Sequence, residues 1–251
     1  NGIVTLDRTG FHQGEKGKVS ARLHYDTQSD VLRGTMDVEN FDVGALLALG
    51  NQKEDRVGGA ITSHIWIGGT RDNPSLGVTG EIDAGTVAGY PVTDASLDVS
   101  LSNHVLTIDR LTGKQGDGAF SASGTVDFNG MMDVDVTAND MALGLFTGLA
   151  GVDEPVSGTA SVTAHVGGTA HSPVADVSLS AKNGGVRGGT FDALTGEIQV
   201  RGSVVRVNQL TVHKYIGGVD YTVSVHGTLP LHALTADADE MLSAAEQIDL
   251  T

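Results

Sequence analysis

The chain contains no cysteine, which excludes disulfide bonds and thiolate-bound metals. Basic residues are scarce as well, because 15 Lys and Arg stand against 31 Asp and Glu, for a formal net charge of −16. The few cations form no cluster, so the sequence predicts no binding to nucleic acid or to an anionic membrane surface. No apolar run approaches the ~20 residues that a membrane-spanning helix needs.

The sequence also lacks the motifs that usually carry catalysis or metal binding. It has no Gly-x-Ser-x-Gly elbow and no HxH or HExxH spacing. The glycines between Gly184 and Gly189 precede no Lys-Ser/Thr pair, so we interpret them as turn residues. The acidic run from Asp237 to Glu240 lacks the glycine and the spaced oxygen ligands of a calcium loop, and it fits an acid-rich helix start. We expect no enzymatic activity, no cofactor and no metal site.

Alternation of apolar and polar residues dominates what is present, most clearly from Ser157 to Val212. Apolar side chains recur there at every second position, as in the run from Ala160 to Val166. A period of two is typical of half-buried β-strands, and the 35 glycines supply turns between them. Strands joined by such short turns pair antiparallel, because parallel strands need long crossovers. The sequence therefore predicts an all-β antiparallel fold.

A shift of 99 residues aligns the sequence with itself almost without gaps. Residues 68–70 then fall on 167–169, and the apolar and polar phases coincide in the two copies. Asn40 falls on Asn139, and after Leu210 the register slips by about four residues, so that Gly124 meets Gly227. The chain is therefore predicted to be an array of repeats.

The repeat defines four segments of one continuous array. We predict the tail of a preceding repeat (1–39), two full β repeats (40–138 and 139–238) and the start of a further repeat (239–251). The N-terminus begins inside a strand pattern, so we interpret the chain as a fragment of a longer protein. Each repeat opens with one short helical candidate, at 42–49, 140 to about 150, and 239 to about 247. Helices this short do not stand alone in water, so we expect them to dock on the sheet.

An antiparallel sheet with one apolar face has to bury that face. The helical candidates are too few to cover it, which leaves a second sheet, as in a sandwich, or a sheet that curls around a groove. Small aliphatic side chains predominate on this face, which favours an incompletely filled groove. The residues predicted to line it are Ile61, Ile65, Ile67, Val78, Val99, Leu101, Leu106, Ile108, Val162, Val166, Val177, Leu179, Ile198, Val200, Val205, Val207 and Val223.

Four features follow one another within residues 158–212: a strand ending in residues 166–169 with Pro173 after it, residues 183–186, the turn from Phe191 to Leu194, and the strand pair within 204–212. The copy at 59–112 has the same order of parts. This arrangement resembles the AsmA/TamB family of Gram-negative envelope proteins, including the DUF490 region of the translocation and assembly module. The resemblance spans essentially the whole chain, although its motifs encode strands and turns and no reactive centre.

The resemblance implies an elongated, curled antiparallel sheet, a β-taco or repeating β-groove, with a hydrophobic concave face. Family members are anchored in the inner membrane, extend across the periplasm and are thought to carry phospholipid toward the outer membrane. Phospholipid acyl chains are thus the implied ligands, and the periplasm is the implied location. An outer-membrane BamA/TamA-like barrel is the implied partner of another part of the full protein.

Some residues look reactive, but the repeat favours structural roles for them. His64 and His165 fall on the polar phase, so we expect them to face solvent. The pairs Asp7-Arg8 and Asp109-Arg110 correspond to Asn208-Gln209 in the next copy, which favours cross-strand surface contacts over an acid–base pair. Trp66, the only tryptophan, also falls on the polar phase, where it covers a neighbouring loop or marks a protein contact.

The sequence predicts a non-enzymatic segment of an envelope-biogenesis protein. Its hydrophobic groove would carry phospholipid acyl chains between the inner and outer membranes, or assist outer-membrane protein assembly. The alternative is a structural β-solenoid, a stalk or adhesin passenger, with parallel coils and a closed core. A carbohydrate-active β enzyme is a third reading, and it would need a carboxylate cluster at one site.

Overall fold

The computed structural model describes residues 2–14, 17–44, 57–149, 155–169, 171–186, 188–230 and 249–250. Fifteen strands form one antiparallel sheet in which each strand follows its predecessor in chain order, and the sheet does not close. The predicted all-β antiparallel fold is therefore confirmed. Most neighbouring strands are joined by short turns, as the glycine pattern predicts, because antiparallel neighbours need only a few residues between them. The connections after β3, β9 and β14 are longer.

The strands are β1 (Ile3–Gln13), β2 (Gly17–Asp26), β3 (Val31–Asp42), β4 (Val57–Gly69), β5 (Pro74–Val87), β6 (Tyr90–Ser102), β7 (Val105–Gln115), β8 (Gly118–Asp127), β9 (Met132–Ala142), β10 (Val156–Thr169), β11 (Ser172–Val186), β12 (Gly189–Arg201), β13 (Val204–Ile216), β14 (Val219–Pro230) and β15 (Asp249–Leu250). Among the described residues, helix α1 (Leu143–Leu149) lies between β9 and β10. The chain divides into two compact units. Unit 1 comprises Asn1–Gly116 and Ser121–Asn129, and unit 2 comprises Asp117–Phe120 and Gly130–Thr251.

The 99-residue repeat is visible in the backbone angles as well as in the sequence. Gly59 and Gly158, 99 residues apart, have φ of 123° and 107°. Gly124 and Gly227 have φ of 140° and 152°, which confirms the predicted slip of about four residues. Such angles fall in the region that glycine tolerates and L side chains rarely adopt. The two units therefore share special backbone positions.

One position of the alignment differs from the sequence prediction. The backbone counterpart of Asn40 is Asp140, not Asn139, because Asn40 and Asp140 both have φ of 47°. Each residue lies where the register shifts, and each backbone N–H donates to a hydroxyl on the next strand: Asn40 to Thr62 Oγ1 at 3.2 Å and Asp140 to Ser161 Oγ at 2.9 Å. The separation from this residue to the hydroxyl is 22 residues in unit 1 and 21 in unit 2, so the offset is 100 at the bulge and 99 on the next strand.

The polar dipeptides that look reactive in the sequence mark β-bulges. The register shifts between Leu6 and Thr9 on β1, and again beside Asp109 on β7 and Asn208 on β13. A bulge adds one unpaired residue to a strand and sharpens its twist. Beyond the bulge, Arg110 pairs in register with Asp98 of β6, in agreement with a cross-strand position on the polar face.

The helices begin later than predicted. Asp42 and Asp140 belong to the ends of β3 and β9, and helical geometry starts at Val43 in unit 1 and at Leu143 in unit 2. The left-handed Asp140 and its bond to Ser161 keep this residue in the strand bulge, so it cannot begin the helix there. The candidate at 239–247, and all but the first residues of the one at 42–49, lie outside the described residues.

Many of the buried side chains lie near the helical ends of the units, although Val205 is buried at the other end of β13. In unit 1, Val19, Val38 and Phe41 form a buried cluster against Met36 and Ile61. In unit 2, α1 packs on β10 and β9 and buries Leu145, and the register partners Met141 and Ala160 are buried on those strands. This packing confirms the predicted docking for α1, and the other two helical candidates lie wholly or mostly outside the described residues.

Candidate functional site

Unit 1 carries continuous rows of aliphatic side chains across its strands. Directly opposite residues in a sheet point to the same face, so the register defines the membership of each row. One row crosses seven strands as Leu6, Leu23, Gly34, Ile67, Leu76, Leu101 and Leu106. A parallel row comprises Ala21, Met36, Ile65, Val78, Val99 and Ile108. Ile61 lies on the same face, opposite Phe41 of β3.

Unit 2 repeats this arrangement. One row comprises Val134, Val166, Ala175, Val200, Val205 and Leu229, and the next comprises Val136, Ala164, Val177, Ile198 and Val207. Two further rows comprise Ala138, Val162, Leu179, Gly196, Leu210 and Val225, and Met141, Ala160, Ala181, Leu194, Val212 and Val223. Within each unit, the register thus brings all the predicted lining residues to one face.

This apolar face is incompletely covered. Most of its side chains in the middle strands are half-buried, Leu76 is 37 % exposed and Val223 is 62 % exposed. In the described parts of the chain, the strands contact their sheet neighbours, α1 contacts β9 and β10, and no second sheet packs on the rows. The face is therefore available to an apolar partner in each unit.

A compensating exchange preserves the volume on this face. In unit 1, Gly80 of β5 lies opposite Leu97 of β6, and at the positions 99 residues later Leu179 lies opposite Gly196. In both cases the leucine fills the space above the glycine: a Cβ on Gly80 would lie 3.4 Å from Leu97 Cδ2, and a Cβ on Gly196 would lie 3.2 Å from Leu179 Cγ. The leucine and the glycine have thus exchanged strands between the two units.

The opposite face is polar and contains a depression of about 580 Å³ in unit 1. Its lining includes Lys18, Asp37, His64, Glu81 and Arg110. Asp37 lies 2.6 Å from His64 Nδ1, and Lys18 pairs with Glu39 at 3.4 Å. The charges on this surface are largely matched across neighbouring strands, as expected for a solvated sheet face.

His64 and His165 are exposed, as predicted, but each has a carboxylate partner that the sequence analysis missed. His165 Nδ1 lies 2.9 Å from Asp135 Oδ1 and 3.8 Å from Asp133 Oδ1. The hydrogen bond to Asp135, together with the charges of Asp135, Asp133 and Asp176, raises the pKa of His165. The partners are 27 and 30 residues away, so only the strand register reveals them.

Trp66 lies on the polar face, where the alternation predicts it, and it covers glycine rather than a loop. A Cβ on Gly77 would fall 2.0–2.3 Å from three atoms of the indole, so the ring lies directly over that glycine. The ring centroid is 5.8 Å from that of His64, and Trp66 is 42 % exposed. An aromatic ring that faces a glycine on the neighbouring strand shields the glycine backbone from water, as a side chain at that position would.

Among the helices of the described residues, none is both long and apolar enough to span a membrane. Neither a family model, nor a curated protein, nor a solved structure matches the chain.

Proposed function

We propose that the apolar face binds the acyl chains of phospholipids, and that the segment belongs to a periplasmic, inner-membrane-anchored protein that carries them between the two membranes. The observation that carries the proposal is the aliphatic row that crosses seven strands of unit 1 with half-exposed side chains. With strands about 4.8 Å apart, this row extends over roughly 29 Å, which accommodates an extended acyl chain.

The energetics of apolar burial support this proposal. Each methylene of an acyl chain that leaves water gains about 0.8 kcal/mol. Val, Ile, Leu and Ala line the rows almost throughout, so the gain changes little from one strand to the next. A chain on such a surface meets no deep trap, and therefore can slide. Selective headgroup contacts on this face would oppose such sliding.

The resemblance to the AsmA/TamB family supports the same proposal through the repeat, the short helices and the one-sided sheet. The alternative reading, a β-solenoid with parallel coils and a closed core, conflicts with the antiparallel pairing and with the open sheet. A role in outer-membrane protein assembly, and a BamA/TamA-like barrel as partner, stay predictions from the resemblance. No contact among the described residues favours them.

Photo-crosslinking at neighbouring positions of one strand tests the proposal directly. A photoreactive amino acid at Val177 or Val200 lies on the apolar face, whereas the same amino acid at Ser178 lies on the other face of the same strand as Val177. We expect phospholipid adducts in cells at Val177 and Val200, and few or none at Ser178, with mass spectrometry identifying the lipid. Absence of adducts at both apolar positions, or equal yields at Ser178, would contradict the proposal.

A further inference from the structure

Unit 2 gathers three metal-ligating side chains on its polar face. Asp133 and Asp135 lie on β9 and His165 lies on β10, and one potential ligand atom from each lies within 4.8 Å of the other two. All three side chains are exposed, so an ion from solution can reach them. This cluster plays no part in the apolar face.

The strand register explains how the three side chains meet. Asp133 and Asp135 are two residues apart and so point to the same face of β9. Asp135 is the direct partner of His165, and Asp133 is the direct partner of Gly167. The imidazole lies beside Gly167, since its Nε2 would be in van der Waals contact, at 3.8 Å, with a Cβ on that residue. The ring therefore also approaches Asp133.

The distances suit coordination of one ion. Zinc binds imidazole nitrogen and carboxylate oxygen at about 2.0–2.2 Å, which places neighbouring ligand atoms about 3.0 Å apart in octahedral and about 3.4 Å apart in tetrahedral geometry. His165 Nδ1 lies 2.9 Å from Asp135 Oδ1 and 3.8 Å from Asp133 Oδ1. The three ligand atoms lie within 4.8 Å of one another, and an ion between them would replace the hydrogen bond between His165 and Asp135.

The charges around the cluster also favour a cation. Asp176 of β11 faces His165 from the other side, but Arg201 binds both of its carboxylate oxygens, at 2.8 and 3.1 Å. Arg201 thus compensates the charge of Asp176 and leaves Asp133 and Asp135 facing the imidazole. The net charge of −16 adds a long-range attraction for cations.

Unit 1 provides an internal comparison. With the local offset of 100 on β9 and of 99 on β10, the counterparts of Asp133, Asp135 and His165 are Arg33, Thr35 and Trp66. The same strand scaffold therefore forms with a cation, a hydroxyl and an indole at these positions. Strand pairing does not require the two carboxylates and the imidazole of unit 2.

We propose that Asp133, Asp135 and His165 bind one divalent transition-metal ion, with water completing its coordination. Imidazole and carboxylate ligands suit Zn²⁺, and we expect the same site to bind Mn²⁺ or Co²⁺ with lower affinity. Ca²⁺ and Mg²⁺ prefer oxygen ligands alone. A bound ion links β9 to β10 at the end of these strands that is remote from α1, and it stabilises the native state by mass action. The site is independent of lipid binding on the other face.

Isothermal titration of the metal-free chain with Zn²⁺ at neutral pH tests the site. We expect one saturable site per chain, at least tenfold weaker binding in Asp133→Asn and in His165→Gln, and a higher thermal midpoint of the wild type with Zn²⁺. Asp37→Asn is the matched control, because it alters the Asp37–His64 pair, which has a single carboxylate at 2.6 Å. Circular dichroism of each metal-free variant establishes that it is folded.

Co²⁺ provides a second readout, because its visible absorption reports nitrogen and oxygen coordination. We expect the spectrum of the complex to change in Asp133→Asn and to persist in Asp37→Asn. The proposal is overturned if wild type shows no saturable site, if Asp133→Asn binds Zn²⁺ as tightly as wild type, or if Asp37→Asn weakens binding to the same extent. The last outcome would indicate adventitious binding by surface histidines.

Discussion

At the scale of single residues, the structure assigns roles to positions whose chemistry alone is ambiguous. Trp66 is an exposed aromatic in the sequence, and its indole lies over Gly77 in the sheet. Asp192 is one of many acidic residues, yet it accepts a hydrogen bond from the backbone N–H of Tyr215 at 2.6 Å and one from Lys214 Nζ at 3.3 Å. Both roles depend on neighbours from other strands.

A side chain at position 77 should displace the tryptophan. We expect Gly77→Val to shift the Trp66 emission to longer wavelength and to lower the free energy of unfolding by about 1–3 kcal/mol, because the new Cβ overlaps the indole. Gly10→Val is the control, since a Cβ there meets only Val19 O at 3.7 Å. An unchanged emission spectrum in Gly77→Val would contradict the placement of the ring.

The carboxyl group of Asp192 should titrate below the usual range. The hydrogen bond from the Tyr215 N–H, with the help of Lys214, lowers the pKa of Asp192. A carboxyl with a lowered folded-state pKa stabilises the fold above its unfolded pKa of about 3.9, and the stabilisation is lost as the pH falls through the folded pKa. We therefore expect Asp192→Asn to reduce stability at neutral pH, and the difference from wild type to vanish in acid.

Chemical denaturation between pH 7 and pH 2 measures this difference. The variant Asp83→Asn, which removes an exposed carboxylate from β5, controls for the change in net charge. A stability difference for Asp192→Asn that stays constant across this range would argue against the assigned hydrogen bonds.

At the scale of elements, bulges at repeated positions shift the pairing register of the strands and increase their local twist. Gly158 lies at such a point on β10, with a register shift beside it and a φ of 107°. Its missing side chain also allows close approach of β11, because a Cβ there would lie 2.7 Å from Lys182 O and 2.8 Å from Gly184 Cα. Backbone angle and close packing both require glycine at this position.

Replacement of this glycine should be more costly than replacement of a turn glycine. We expect Gly158→Ala to lower the free energy of unfolding by about 3 kcal/mol or more, because backbone strain and steric overlap act together. Gly217→Ala, at a turn where φ is 61° and no atom lies within 4 Å of the added Cβ, should cost only about 1 kcal/mol. Urea denaturation of both variants measures the costs, and equal costs would refute the close approach.

At the scale of the whole molecule, the chain concentrates aliphatic side chains on one face of each unit and acidic residues elsewhere. The net charge of −16 opposes association between chains while part of the apolar face is exposed. Successive side chains of a strand point to opposite faces of the sheet. Val99 and Ser100 of β6 therefore lie on the apolar and the polar face, respectively.

A charge on the apolar face should reduce lipid binding, and a charge on the polar face should not. We expect Val99→Asp to lower the amount of phospholipid that copurifies with the protein several-fold, because the carboxylate must remain hydrated. Ser100→Asp adds the same charge to the polar face and should retain the lipid. Quantitative lipid mass spectrometry compares the two variants, and an equal loss in both would oppose the proposed role of the face.

The amino-acid sequence by itself determined the strands, the repeat and the face on which each side chain lies. Period-two alternation can be recognised within each strand, and the copy 99 residues away repeats it. The seventeen lining residues could therefore be assigned to the apolar face without knowledge of the strand pairing. The sequence also aligned Gly124 with Gly227, because each precedes a threonine at the same place in its copy, and both glycines lie within strands at positive φ.

Only the tertiary structure decided which side chains meet across strands. The cluster of Asp133, Asp135 and His165, and the contact of Trp66 with Gly77, depend on pairing register, and each bulge shifts that register by one residue. The helix start at Leu143 depended in the same way on the bulge at Asp140. Alternation along one strand determines the face on which a side chain lies. The residue that faces it on the neighbouring strand depends on the length of the turn between the strands and on the number of bulges.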